Sequence, residues 1–137
     1  TLVLEARWTQ ADLSVIHVSA QDLAALDVPD PVLDGRIDMD AVAARLESRY
    51  ARLSACVAAA RRRAPEGGRI VTVRIKLVRD HRDPTAAPPR VQTLRILSSE
   101  LGDVRGEACI VGALDGLDWP RPDTGAATID WPFAFGR

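Results

Sequence analysis

The side chains with the most reactive chemistry in this sequence belong to two cysteines and two histidines, Cys56, Cys109, His17 and His81. Cysteine and histidine ligands of structural zinc usually come in pairs separated by about two to four residues. Here the four residues are scattered along the chain and form no such pair. His81 has acidic neighbours, but Asp-His-Arg-Asp in a polar loop is more typical of solvated charge than of a rigidly supported metal site. We therefore expect no metal centre.

The two cysteines have two interpretations. An even number of cysteines permits a disulfide bond but does not require one. Two buried thiols that pack as small apolar groups are the alternative, and they are common in cytosolic proteins. The composition of the chain leaves both interpretations open.

No pattern of catalytic residues stands out. The chain lacks G-x-S-x-G, a phosphate-cradling glycine loop, H-E-x-x-H and Cys-x-x-Cys. Its acidic residues are scattered, and no pair lies in an apolar setting that would raise a carboxyl pKa. We predict that the protein is not an enzyme and has no catalytic residues and no cofactor.

Length and charge predict an ordinary globular domain without an affinity for polyanions. The chain has 137 residues, 47% of them hydrophobic, and a net charge of −1, so nothing global attracts nucleic acid or an anionic membrane. We interpret Arg61–Arg63 as cations at a helix C-terminus, which they stabilise. The sequence contains no apolar run of membrane-spanning length and no signal peptide. Because it starts at Thr1 without a methionine, we expect a soluble piece of a longer protein.

Two helices are predicted to support these residues. Asp38 or Asp40 can cap the first helix through its carboxylate. Apolar residues then recur at three- and four-residue steps as far as Ala60, which predicts one continuous helix that ends near Arg63. The second helix carries Cys109 and runs through Leu117, and Trp119-Pro120 ends it.

A hairpin is predicted between the two helices. Arg69–Val78 alternates apolar and polar residues, which is typical of a strand with one wet face. Val91–Ser98 is its partner, and the polar, proline-rich Asp80–Pro89 forms a long exposed connection. The apolar face of the first strand consists of Val71, Val73, Ile75 and Leu77.

Residues 1–36 are predicted to be an extension separate from the domain formed by residues 37–137. Leu2–Trp8 and Leu13–Ser19 contain short alternating or β-branched runs, which favour a hairpin. Val28–Gly35 contains two prolines and a glycine, so we expect a loop that links the two parts.

The chain closes with a strand that we expect at the edge of the sheet. Ile129–Phe135 alternates large apolar residues with smaller or polar ones. Pro132 cannot donate a backbone hydrogen bond, and proline is confined to edge strands and bulges. Its nitrogen should therefore face away from its own sheet, together with the backbone groups of Asp130 and Ala134.

The order helix, strand, long turn, strand, helix, strand resembles the TonB C-terminal domain superfamily, most closely the AgmX/PglI C-terminal variant of myxobacteria. The resemblance covers Asp38 to Arg137 and is most specific in the last third. The family's short, glycine-containing strand turn is replaced here by the long loop, and residues 1–36 lie outside the resemblance. The matching segments are Tyr50–Ala60 with its Cys56, Gly68–Val71, Leu97–Gly102, Glu107–Ile110, Trp119–Pro122 and Ile129–Phe135.

The resemblance implies an α+β fold, in which a small antiparallel sheet of about three strands and a possible N-terminal hairpin pack on two helices. It also implies a periplasmic domain of an inner-membrane-anchored protein. In that oxidising compartment Cys56 and Cys109 would form a disulfide bond between the two helices.

The resemblance further implies that the domain acts by binding other proteins. TonB-like domains add an extended segment of an outer-membrane protein to their sheet, and the expected partner is an outer-membrane or periplasmic protein segment. The machine would serve gliding motility or force transduction across the cell envelope. Alternatives are a structural or assembly domain without energy coupling, a small-ligand binder or enzyme, and a strand-exchanged homodimer. The predicted binding edge consists of Asp130, Trp131, Pro132, Phe133 and Ala134.

Overall fold

A computed structural model describes residues 15–16, 28–79 and 88–136 of the chain. This part of the chain is an α+β domain, as predicted. Its elements in chain order are β1 (Val15–Ile16), β2 (Val32–Gly35), α1 (Met39–Glu47), α2 (Tyr50–Arg63), β3 (Ile70–Val78), β4 (Arg90–Ser99), α3 (Val104–Leu114) and β5 (Ala126–Phe135). None of the described helices is long and apolar enough to cross a membrane.

The sheet is antiparallel in the order β2, β5, β3, β4, and β1 adds a short parallel pairing to β5. The last strand of the chain therefore lies inside the sheet. It pairs with β3 along its whole length, while β2 and β1 cover parts of its other side. The expectation that β5 is an edge strand is wrong.

Strand β3 forms because its residues alternate between an apolar and a polar face, and the structure confirms that alternation. Val71, Val73, Ile75 and Leu77 are fully buried, whereas the residues between them are only half-buried. Burying a side chain of this size stabilises a fold by about 1.5–3 kcal/mol. The apolar face of β3 therefore anchors one core shared by the sheet and the helices.

Two helices stand where one was predicted between Asp38 and Arg63. Of the two predicted capping residues, Asp38 caps α1: its carboxylate accepts hydrogen bonds from the amides of Asp40 and Ala41. The helix then ends at Ser48, whose hydroxyl donates to the carbonyl of Arg45 and so offers the backbone a competing partner. The apolar period continues across this break, which is why the sequence pattern did not reveal it.

Helices α2 and α3 pack together and are joined by a disulfide bond. The sulfur atoms of Cys56 and Cys109 are bonded, and their Cα atoms lie 5.6 Å apart. This confirms the pairing that the family resemblance implied. Helix α3 ends at Leu114, earlier than predicted, because the chain turns at Gly116 with φ +80°, a conformation that favours glycine.

The expected linker loop contains a strand. Val32–Gly35 forms β2 and pairs antiparallel with Ala127–Asp130, so the second half of the predicted Val28–Gly35 loop belongs to the sheet. Gly35 has φ +102° and lies directly against the backbone of Ala126, where a Cβ would clash. The predicted N-terminal hairpin, apart from Val15–Ile16, lies outside the described residues.

Candidate binding edge

The five residues of the predicted binding edge do not offer a free surface. The side chains of Trp131 and Phe133 lie in the core and are 1% and 0% exposed. Pro132 and Ala134, on the opposite face, are also buried. Asp130 is held by an ion pair with Arg74 of the neighbouring strand. The structure therefore places these residues in the middle of the sheet.

Pro132 lies between the part of β5 that pairs with β2 and the part that pairs with β1. The amide of Phe135 donates to the carbonyl of Arg69, so the alternation of a strand turns the backbone of Pro132 away from β3. On that outer side β2 pairs as far as Asp130, and β1 pairs from Ala134. The missing donor of Pro132 is therefore tolerated in an inner strand, because neither β2 nor β1 pairs with β5 at this residue.

Strand β4 is an outer strand of the sheet, since it pairs with β3 and with no second strand in the described part of the chain. Its backbone directions follow from the amide of Glu100, which donates to the carbonyl of Ile70. Because backbone directions alternate along a strand, Arg74 of β3 also faces β4, and it forms a hydrogen-bonded pair with Arg95. The backbone groups of Leu94 and Ile96, on either side of Arg95, therefore point outward. These outward groups are available to a further strand.

The side chains of β4 are more exposed than those of β3. Leu94 and Ile96 pack against the core but are only half-buried, because no further strand covers their outer flanks. Val91 and Leu97 are 39% and 38% exposed. A strand added at this edge would therefore bury apolar surface as well as satisfy backbone groups.

Two bulges limit the regular part of this edge. The pairing with β3 shifts at Gln92 and at Leu97, which have no partner in the register. Bulges twist an edge strand and commonly protect it from indiscriminate pairing. Between them Thr93–Ile96 is regular, so an added strand would be anchored at this central segment.

The opposite side of the sheet has a shorter outer strand. Strand β2 has 4 residues, all of them exposed, and Val32 is 61% exposed. Very short edge strands are a common protection against pairing with other chains. We therefore regard β4, with 10 residues, as the better candidate edge.

The polar face beside β4 carries positive charge. Arg74 donates from Nε and Nη2 to the two carboxylate oxygens of Asp130, at 2.7 and 2.8 Å. These hydrogen bonds lower the pKa of Asp130 although partial burial opposes them, and the charges of Arg74 and Arg95 add to the effect. Arg95 itself is exposed and lies directly across from Arg74.

A cleft at one end of the sheet has two of its charged side chains, Arg63 and Glu100, already engaged. It has a volume of about 470 Å³ and lies between the end of α2 and the turn from β4 to α3. The Glu100 carboxylate accepts from the amides of Arg69 and Ile70, and Asp103 pairs with Arg63 at 2.7 Å. These bonds connect the end of α2 and the start of β3 to the turn between β4 and α3.

The disulfide bond has one buried and one exposed partner. Cys56 is 3% exposed, whereas Cys109 lies on the exposed side of α3. The two histidines, with the Asp80–Ala87 part of the long loop, lie outside the described residues. Among the residues described, no group of three or more histidine, cysteine or acidic side chains could hold a metal ion.

Comparison with known proteins does not assign this chain to a family: no family model, no curated protein and no solved structure matches it. The candidate edge was missed because β2 was interpreted as a loop, which left β5 as the apparent outer strand. One signal was present in the sequence. Val91–Ser98 is the less strictly alternating of the two hairpin strands, as expected for a bulged edge.

Proposed function

We propose that this domain binds an extended segment of another polypeptide by adding it as a strand to the outer side of β4. One observation carries the proposal: the outward backbone groups of Leu94 and Ile96 have no partner strand among the described residues, and their side chains are half-buried. In this mode of recognition backbone hydrogen bonds give affinity, and alternate side chains give specificity.

The proposed setting is the periplasm, in a machine that links the inner membrane to outer-membrane proteins. Two features support it. The disulfide between Cys56 and Cys109 suits an oxidising compartment. The sequence resemblance to TonB C-terminal domains, with the gliding-motility type as the nearest variant, supplies the class of machine. The partner would then be a segment of an outer-membrane or periplasmic protein.

Site-specific photo-crosslinking in the native cell envelope tests this function. A photoreactive residue is placed at Val91 or Leu97 on β4, at Val32 on β2, and at Val104 on α3 as an exposed control. We expect Val91 and Leu97 to capture one segment of one partner, at positions separated as in an extended chain. Capture through Val32 or Val104 alone would contradict binding at β4.

The same experiment separates energy coupling from static assembly. In a force-transducing machine the yield of the crosslink through Leu97 should fall when the proton gradient is dissipated. In an assembly domain the yield should stay constant. A constant yield would leave strand addition in place but remove the energy-coupling part of the proposal.

A further inference from the structure

The polar face of the sheet has an uncompensated arginine at its outer strand. Arg95 lies opposite Arg74, and like charges in this position destabilise a strand pair. Asp130 neutralises Arg74 by accepting hydrogen bonds from its Nε and Nη2 atoms. Arg95 has no ion pair among the described residues, although it lies near enough to Asp130 to lower that carboxyl group's pKa.

Side chains alternate between the two faces of a sheet, which determines the face on which the residue of an added strand beside Arg95 would lie. Neighbouring residues on adjacent strands lie on the same face, with Cβ atoms about 4.5–5.5 Å apart. The residue beside Arg95 would therefore lie on the polar face. The residues before and after it would lie on the core face, beside the half-buried Leu94 and Ile96.

Charge argues against a second copy of β4 as the occupant. The side chains of β4 on the polar face are Arg90, Thr93, Arg95 and Ser98, to judge from their partners on β3. None of them is acidic. Self-pairing would bring two copies of Arg90 and Arg95 together without a counter-charge, which disfavours it.

We infer that the segment bound at β4 contains an acidic residue flanked by two apolar residues, with its carboxylate beside Arg95. The inference rests on the proposed strand addition and names the chemistry of the partner. The pattern is symmetric about Arg95, so it holds for a parallel and for an antiparallel strand. The apolar residues extend the core at Leu94 and Ile96, while the carboxylate supplies the charge that Arg95 lacks.

Fluorescence anisotropy with synthetic peptides tests the inference on the full chain. The probe is a short peptide of alternating threonine and valine with a central glutamate between two valines. It is labelled through a polyethylene glycol linker, and two further peptides carry glutamine or lysine at the centre. We expect affinity to fall by about two- to fivefold from glutamate to glutamine and again to lysine.

Two charge-reversal variants locate the effect. Arg95→Glu should invert the order of the three peptides, whereas Arg52→Glu, a change at an exposed position of α2, should leave it unchanged. Equal affinities for all three peptides would overturn the charge inference but keep strand addition. Binding of none of them would overturn both. A glutamate preference that survives Arg95→Glu would overturn the role of Arg95. If the chain instead forms concentration-dependent dimers that prevent peptide binding, a second copy of the chain occupies β4, and the inference is overturned.

Discussion

Gly106 of α3 packs against Ala60 of α2: a Cβ on Gly106 would lie 2.6 Å from the Cβ of Ala60. Real Cβ atoms do not approach so closely, so Gly106→Ala must push the helices apart. We expect a loss of about 1–3 kcal/mol in the free energy of unfolding, the usual cost of an overpacked core. Chemical denaturation measures it.

Gly112→Ala is the matched control for this substitution. Gly112 lies in the same helix, but a Cβ there would meet no atom within 4 Å. Because alanine is the better helix former, we expect this variant to be more stable by about 0.5–1 kcal/mol. Equal effects of the two substitutions would mean that helix propensity, and not the contact with Ala60, determines the result.

Reduction of the disulfide should strongly destabilise the domain. The bond closes a loop across a sequence separation of 53 residues. On the chain-entropy model this contributes on the order of 4 kcal/mol, which corresponds to a fall of roughly 10–20 °C in the unfolding midpoint. Calorimetry with and without a phosphine reductant measures the difference. The variant with both Cys56→Ala and Cys109→Ala should not respond to the reductant, and equal midpoints for the oxidised and reduced native chain would refute the prediction.

The ion pair between Arg74 and Asp130 should make stability depend on pH in the acid range. The pKa of Asp130 is lower in the folded chain than in the unfolded chain, where it is about 3.9. The stabilisation is therefore present above the unfolded pKa and is lost as the pH falls through the lowered folded value. Asp130→Asn should lower the unfolding midpoint at neutral pH, and the difference from the native chain should shrink towards pH 2. A difference of the same size at both pH values would argue against the ion pair as its cause.

Binding at β4 should depend on the backbone of Leu94. Leu94→Pro removes an outward donor, whereas Leu94→Ala removes a similar amount of side chain and keeps the donor. With the segment identified by crosslinking, we expect the proline variant to bind about tenfold or more weakly than the alanine variant. Circular dichroism must first show that both variants are folded. Equal affinities would indicate that side chains alone hold the partner.

Pro132→Ala should leave binding at β4 unchanged. The substitution restores a donor on the outer side of β5, where β2 and β1 provide the cover. Titration of the same labelled segment provides the measurement. A change in affinity of tenfold would return the binding site to β5 and contradict the assignment to β4.

The local pattern of the sequence predicted much of the fold. The alternation in β3 and β5, the cap at Asp38 and the hairpin of β3 and β4 follow from period-two patterns and side-chain chemistry that involve near neighbours in the chain. The disulfide followed only from a family resemblance, because two cysteines permit a bond but do not require one.

The order of the strands could not be derived in the same way. Pro132 indicated an edge, since a missing donor is normally tolerated there. No local sequence pattern shows that β2, a four-residue strand directly after Pro31, pairs with Ala127–Asp130, which lies almost a hundred residues further along the chain. The position of the candidate binding edge depends on that long-range pairing, and for this reason the sequence pattern predicted the outer strand at β5, whereas the structure places it at β4.

The central position of β5 has a consequence for how the chain is made. Strands β1, β2 and β3 all pair with it, yet it is the last described element to leave the ribosome. Until then the side of β3 that pairs with β5 is an unpaired strand edge, and such edges make folding intermediates prone to aggregation. Premature termination before Ala126 would therefore remove the strand that joins β1 and β2 to the hairpin of β3 and β4.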